Sequence, residues 1–140
     1  MTQKKSLPGI NIQWPWSRLI GTGAKTVETR SYPIPLHYLG VPLALIETPG
    51  PKGAKHAGIV SARIIGIVIF GDCFLYRNVD HWSKDIDRHL VPPGDPLFSF
   101  QEHKPKWGWV ITSFKPLSQP LPAPSKRGIV FAKNCELVSV

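Results

Sequence analysis

Fifteen prolines and twelve glycines punctuate this chain of 140 residues. Proline has no backbone N–H and its ring clashes with the preceding turn, so a helix does not run through it. Pro33 and Pro35 close one segment, Pro92 and Pro93 another, and Pro120, Pro122 and Pro124 keep a third extended. The remainder reads as many strands of varied length with two or three short flanking helices. That is an α+β arrangement around a small curled β-barrel, not a βαβ alternation. Gly66 and Gly71 lie inside a long apolar strand over residues 58–75, where they predict the bulge or bend that curling strands need.

At this length one core is expected, with residues 1–9 as a frayed, polar lead and residues 10–140 as a single domain. Ile10 and Ile12 alternate with polar neighbours as in a strand. Trp16, Leu19 and Ile20 then follow at helical spacing, which predicts a short amphipathic helix over 15–22. Residues 25–30 are rich in β-branched side chains and read as a strand. Strict alternation there places Thr26, Glu28 and Arg30 on one face and Lys25, Val27 and Thr29 on the other. A core strand is expected over 41–47, an exposed mobile loop over 48–56, and a helix over 78–90 that buries Val79, Trp82 and Ile86. A helical turn near 98–102, strands over 107–114 and 128–132, and an extended stretch over 117–124 complete the reading.

Charge is the second constraint. Lysine and arginine number 17 against 9 acidic residues, a net charge of +8. Residues 1–63 hold eight basic and two acidic groups, 71–102 hold three and six, and 103–140 hold six and one. Two basic ends around an acidic middle favour a polyanionic partner such as nucleic acid. No apolar run reaches the roughly 18 residues of a membrane span, and the lead lacks the apolar core of a signal peptide, so no membrane partner and a cytoplasmic location are expected. Cys73 and Cys135 stand alone, and His81, Asp85 and His89 share a face only if their segment is helical. Such a face either holds a metal or is a solvated charged face, and with no fourth ligand beside it neither a metal nor another cofactor is expected.

The usual phosphate-loop, dinucleotide and nucleophile-elbow motifs are absent. Outside the acidic middle the carboxylates are Glu28, Glu47 and Glu136. Glu28 sits among Lys25, Arg30 and Arg18, so it either orients a ligand or simply pairs with Arg30 along the strand. Trp82 and Trp109 read as core, whereas Trp14, Trp16, Tyr32 and Trp107 adjoin basic residues or turns and are candidates for stacking a base.

The run QWPWSRLIGTGAKTVETRSY at residues 13–32 resembles the opening signature of the ASCH (activating signal cointegrator homology) domain. The similarity continues through 41–47, 58–73 and 106–110, and more loosely to Gln119 and Gly128, covering about residues 10–131. This resemblance implies a PUA-like fold with a cleft that takes RNA, another single-stranded nucleic acid or a modified nucleotide. It would place Lys25, Thr26, Glu28 and Arg30 in that cleft with Trp16 and Ser17 on a helical wall, provided the strand begins after Lys25. Lys106, Lys126 and Arg127 would add charge, and Tyr32 or Trp107 a stacking surface. Proteins similar to this family include N4-acetylcytidine amidohydrolases, whose block reads KTxTxR. Here Glu28 stands where they carry the second threonine, which removes their proposed hydroxyl nucleophile. Others are single-strand ribonucleases, for which Lys25 and Glu28, with Thr26 nearby, would be the catalytic groups. Binding, hydrolysis and a third role, protein interaction in a transcription coactivator complex through the acidic middle, are the functions this reading leaves open.

Overall fold

A computed structural model describes residues 3–124 and 130–139. Its elements run β1 (Gln3–Gln13), α1 (Trp16–Gly21), β2 (Val27–Arg30), β3 (Leu43–Thr48), α2 (Gly53–Ala57), β4 (Arg63–Leu75), α3 (Val79–Lys84), α4 (Ile86–His89), β5 (Trp107–Pro122) and β6 (Phe131–Ser139), with a 3-10 turn at Leu36–Tyr38. The strands form one mixed six-stranded sheet in the order β2-β5-β4-β3-β1-β6. β1 and β3 are parallel and every other pair is antiparallel. The fold is α+β as expected, but the sheet does not close into a barrel.

The centre of the sheet follows from its apolar residues. Leu43, Ala44, Leu45 and Ile46 in β3 are all fully buried, because successive side chains point to opposite faces and both faces are covered. Leu43 and Leu45 join the larger core with Ile10, Ile12, Trp16, Ile20, Phe70, Trp82 and Trp109. Ala44 and Ile46 join the smaller one with Ile64, Cys135 and Leu137. Trp82 and Trp109 are thus the core tryptophans their sequence context indicated.

Curvature comes from β4. Its pairing with β5 shifts register between Ile64 and Gly66, between Ile69 and Phe70, and between Phe70 and Asp72. At Gly66 a Cβ would lie 2.4 Å from Phe114 Cζ and 2.6 Å from the Lys115 carbonyl, so the strands approach too closely for any side chain. These irregularities bend the long β4-β5 ribbon and carry β2 round toward β1. Closure fails because β2 has only four residues and β1 runs beyond the end of its β6 pairing at Ile10. A side-chain bridge spans the seam, Arg30 Nη2 donating to the Asn11 carbonyl at 3.2 Å.

Four local expectations change. Residues 3–9, expected to fray, belong to β1, whose pairing with β6 runs from Gln3 to Ser139. The 48–56 loop contains the start of α2, with Trp14 stacked on His56 at 6.3 Å. The helix expected over 78–90 breaks into α3 and α4 at Asp85, and Val79 is 51% exposed while His89 is buried. Asp85 receives the Tyr76 hydroxyl and the Arg88 guanidinium, so its side chain is drawn into local pairing at the break. Finally, β5 extends to Pro122, because its prolines lie in a stretch where only β4 pairs with it.

Candidate functional site

The unclosed seam between β1 and β2 is a cleft of about 300 Å³. Asn11, Ile12 and Gln13 form one wall, Glu28, Thr29 and Arg30 the other, with Trp16, Lys25, Val91 and Phe98 between them. Four of the sequence-level candidates, Trp16, Lys25, Glu28 and Arg30, therefore meet here.

Their geometry is set by where β2 begins. Lys25 and Thr26 precede the strand, so alternation does not separate Lys25 from Glu28. Lys25 Nζ lies 3.8 Å from Glu28 Oε1, donates to the His89 carbonyl and sits 4.9 Å from the Trp16 ring centre. Within the strand, alternation puts Glu28 and Arg30 on one face, with Arg30 Nη2 3.1 Å from Glu28 Oε2. Glu28 is thus held between two cations and also accepts the Thr29 N–H at 3.2 Å. Arg30 stacks 5.6 Å from the Trp109 ring, which fixes its plane from behind.

Lys25 is only 1% exposed. Burial pulls its pKa down to about 8, Glu28 acts in the opposite sense, and Arg30 and Lys106 lower it further. An ammonium of that acidity beside a carboxylate is suited to proton exchange near neutral pH.

The other candidates are placed elsewhere. Ser17 turns away from the cleft and donates to Glu47 at 2.7 Å. There Glu47, fully buried, also receives Arg63 at 2.9 and 3.0 Å, while Arg18 lies 3.5 Å away. Thr26 is exposed in a shallow groove beside Ile111 and Thr112. Trp107 is half-buried against the larger core and does not line the cleft. Tyr32 and Lys106 line a second groove of about 240 Å³, contiguous with the cleft through Thr29, Arg30 and Phe98. Lys106 donates to the Phe98 carbonyl at 2.9 Å and lies 5.3 Å from the Trp82 ring; burial lowers its pKa. Lys126 and Arg127 lie outside the described residues.

Sequence reasoning missed Asn11, Gln13 and Phe98. Gln13 opens the signature run and so carried a signal, whereas Phe98 arrives through a loop held by Asp95, whose carboxylate accepts the Leu97 and Phe98 amides at 2.9 and 2.8 Å. His89 holds no metal site: its Nδ1 accepts the Val91 N–H, Nε2 therefore carries the proton toward the Trp82 carbonyl, and the ring stacks on Trp82 at 3.7 Å. Among the described residues no group of histidine, cysteine or carboxylate side chains could hold a metal ion. No helix there is long and apolar enough to cross a membrane.

Neither a family model nor a curated protein matches the chain. Solved structures do. The chain is similar to the crystal structure of ASCH from Zymomonas mobilis, with TM-score 0.60 and 19% identity over 81% of this chain and 71% of that one. A variant of the same protein with a serine replaced by alanine gives TM-score 0.64 and 17% identity over 90% and 86%. A tyrosine-to-phenylalanine variant gives 0.59 and 19% over 81% and 73%. The likeness is one of fold: the open curled sheet described above is the PUA-like fold of ASCH structures.

Proposed function

We propose that this chain binds RNA or a modified nucleotide, seating a base in the cleft between β1 and β2. The observation that carries the reading is the Lys25-Glu28-Arg30 constellation in a space of about 300 Å³, the lower end of what small-ligand sites occupy. Both cations already face Glu28 and a backbone carbonyl, so the cleft adds little net charge and suits a neutral, planar, hydrogen-bonding group better than a bare phosphate. Glu28 accepts, Arg30 donates in a fixed fork, and Trp16 with Phe98, edge to face at 5.3 Å, supplies aromatic surface.

Calorimetric titration with the common ribonucleosides and with single-stranded RNA tests this. Glu28→Gln and Arg30→Lys should each weaken binding about tenfold, the usual cost of a lost charge-assisted hydrogen bond, with circular dichroism confirming the fold. Unchanged affinity in both variants would remove the cleft as the site.

A second reading is hydrolysis, of an RNA phosphodiester or of an acyl group on a nucleobase. The acidity of Lys25 favours it, since an ammonium titrating near pH 8 beside a carboxylate forms a matched acid and base. Incubation with single-stranded RNA and with N4-acetylcytidine decides between the readings. Product that disappears with Glu28→Gln supports turnover; none above that control leaves binding alone.

A further inference from the structure

The second groove differs from the cleft in the state of its charges. In the cleft Lys25 and Arg30 share one carboxylate. In the groove Lys104 is exposed and makes no ion pair with a described residue, and its charge lowers the pKa of Lys106 further. Asp95, the nearby carboxylate, is occupied by the Leu97 and Phe98 amides. Glu28 and Asp95 both act on Lys106 as well, so the cation this groove leaves uncommitted is the exposed Lys104.

The groove also presents an aromatic ring. Tyr32 is 38% exposed, one of the few large apolar side chains of the described residues left so open. It is propped edge-on against Trp109 at 5.8 Å, and its carbonyl accepts the Trp109 Nε1–H at 3.1 Å. Its place is thus fixed by the core while part of its ring stays in solvent. Arg30 lines both spaces.

We propose that this groove is a second nucleotide subsite: with one base in the cleft, Lys104 holds the linking phosphate and Tyr32 stacks on the neighbouring base. The inference rests on the nucleotide reading of the cleft and extends it from one unit to two. Paired cations that read a base on one side, and an unpaired cation beside an exposed ring on the other, are the division of labour a strand of two units needs.

The experiment compares the four common ribonucleosides with the matching dinucleoside monophosphates on wild type, Tyr32→Ala and Lys104→Ala. Both variants alter exposed groups, and thermal melts check that they fold. The dinucleotides should bind wild type at least about tenfold more tightly than nucleosides, and each variant should lose about fivefold or more of dinucleotide affinity while nucleoside affinity stays unchanged. Dinucleotide affinity that is equal in wild type and both variants overturns the second subsite and leaves the cleft standing. If neither class of probe binds wild type, the nucleotide reading itself fails, and the subsite with it.

Discussion

Lys25 is an ammonium group held almost out of water among Trp16, Glu28 and the His89 carbonyl. Desolvation outweighs the attraction of Glu28, which is why its pKa falls from 10.5 to about 8. The consequence for stability follows from proton counting. Between about pH 8 and 10.5 the unfolded chain keeps the Lys25 proton and the folded chain does not, so in that window this group makes the fold more stable as pH rises. Below the window both states are charged and the burial cost is present in full. Other groups titrate there too, with the Tyr76 hydroxyl and the Cys135 thiol both raised by burial and acting in the opposite sense. The clean measurement is therefore a difference. Urea unfolding of wild type minus that of Lys25→Met should increase by up to about 3 kcal/mol from pH 7.5 to 10.5. A flat difference would mean that Lys25 is solvated in the folded protein. At this scale the sequence indicated Glu28 and Arg30 as partners by strand alternation, and they are. It did not indicate that Ser17 turns to Glu47, because one helical residue's direction depends on where a distant strand places a buried carboxylate.

Strands and helices show the same division between local and distant causes. β3 and α1 were legible because continuous burial and 3.6-residue spacing each leave a pattern in a few neighbouring residues. The split of α3 from α4 was not, since it depends on Tyr76 and Arg88 converging on Asp85. The start of β1 at Gln3 was not either, since a polar segment becomes a strand there through β6, more than a hundred residues later. Glycines in β4 were legible, and they yield a graded prediction. A Cβ at Gly66 meets both the Phe114 ring and an immovable carbonyl. At Gly71 the nearest atoms all belong to the exposed Thr112 side chain, which can turn aside by giving up its long hydrogen bond to the Ile69 carbonyl at 3.3 Å. Gly66→Ala should therefore destabilise by about 1–3 kcal/mol, and Gly71→Ala by clearly less. Denaturant midpoints with an unchanged slope would read both costs; equal costs would show that β4 and β5 can separate at the first bulge.

On the scale of the whole molecule, the net charge of +8 is not concentrated in the cleft. Four of the carboxylates that could oppose it, Glu28, Glu47, Asp80 and Asp85, are each paired with one or more nearby cations. The excess therefore sits on exposed lysines such as Lys52, Lys55, Lys104, Lys115 and Lys133, which lie in separate parts of the chain. A ligand short enough to fill only the cleft and the adjoining groove touches few of them, whereas a long strand can reach several. Each phosphate contact on a single strand contributes a slope of about −0.7 in log affinity against log salt. A dinucleotide with one phosphate contact should thus lose only about threefold in affinity when salt is raised fourfold, from about 50 to about 200 mM. A strand of about 20 nucleotides that meets four or more lysines should lose about fiftyfold or more over the same range. Anisotropy titrations at two salt concentrations separate these cases. A shallow slope for both lengths would mean that the scattered lysines never meet the strand and that recognition ends at the two subsites.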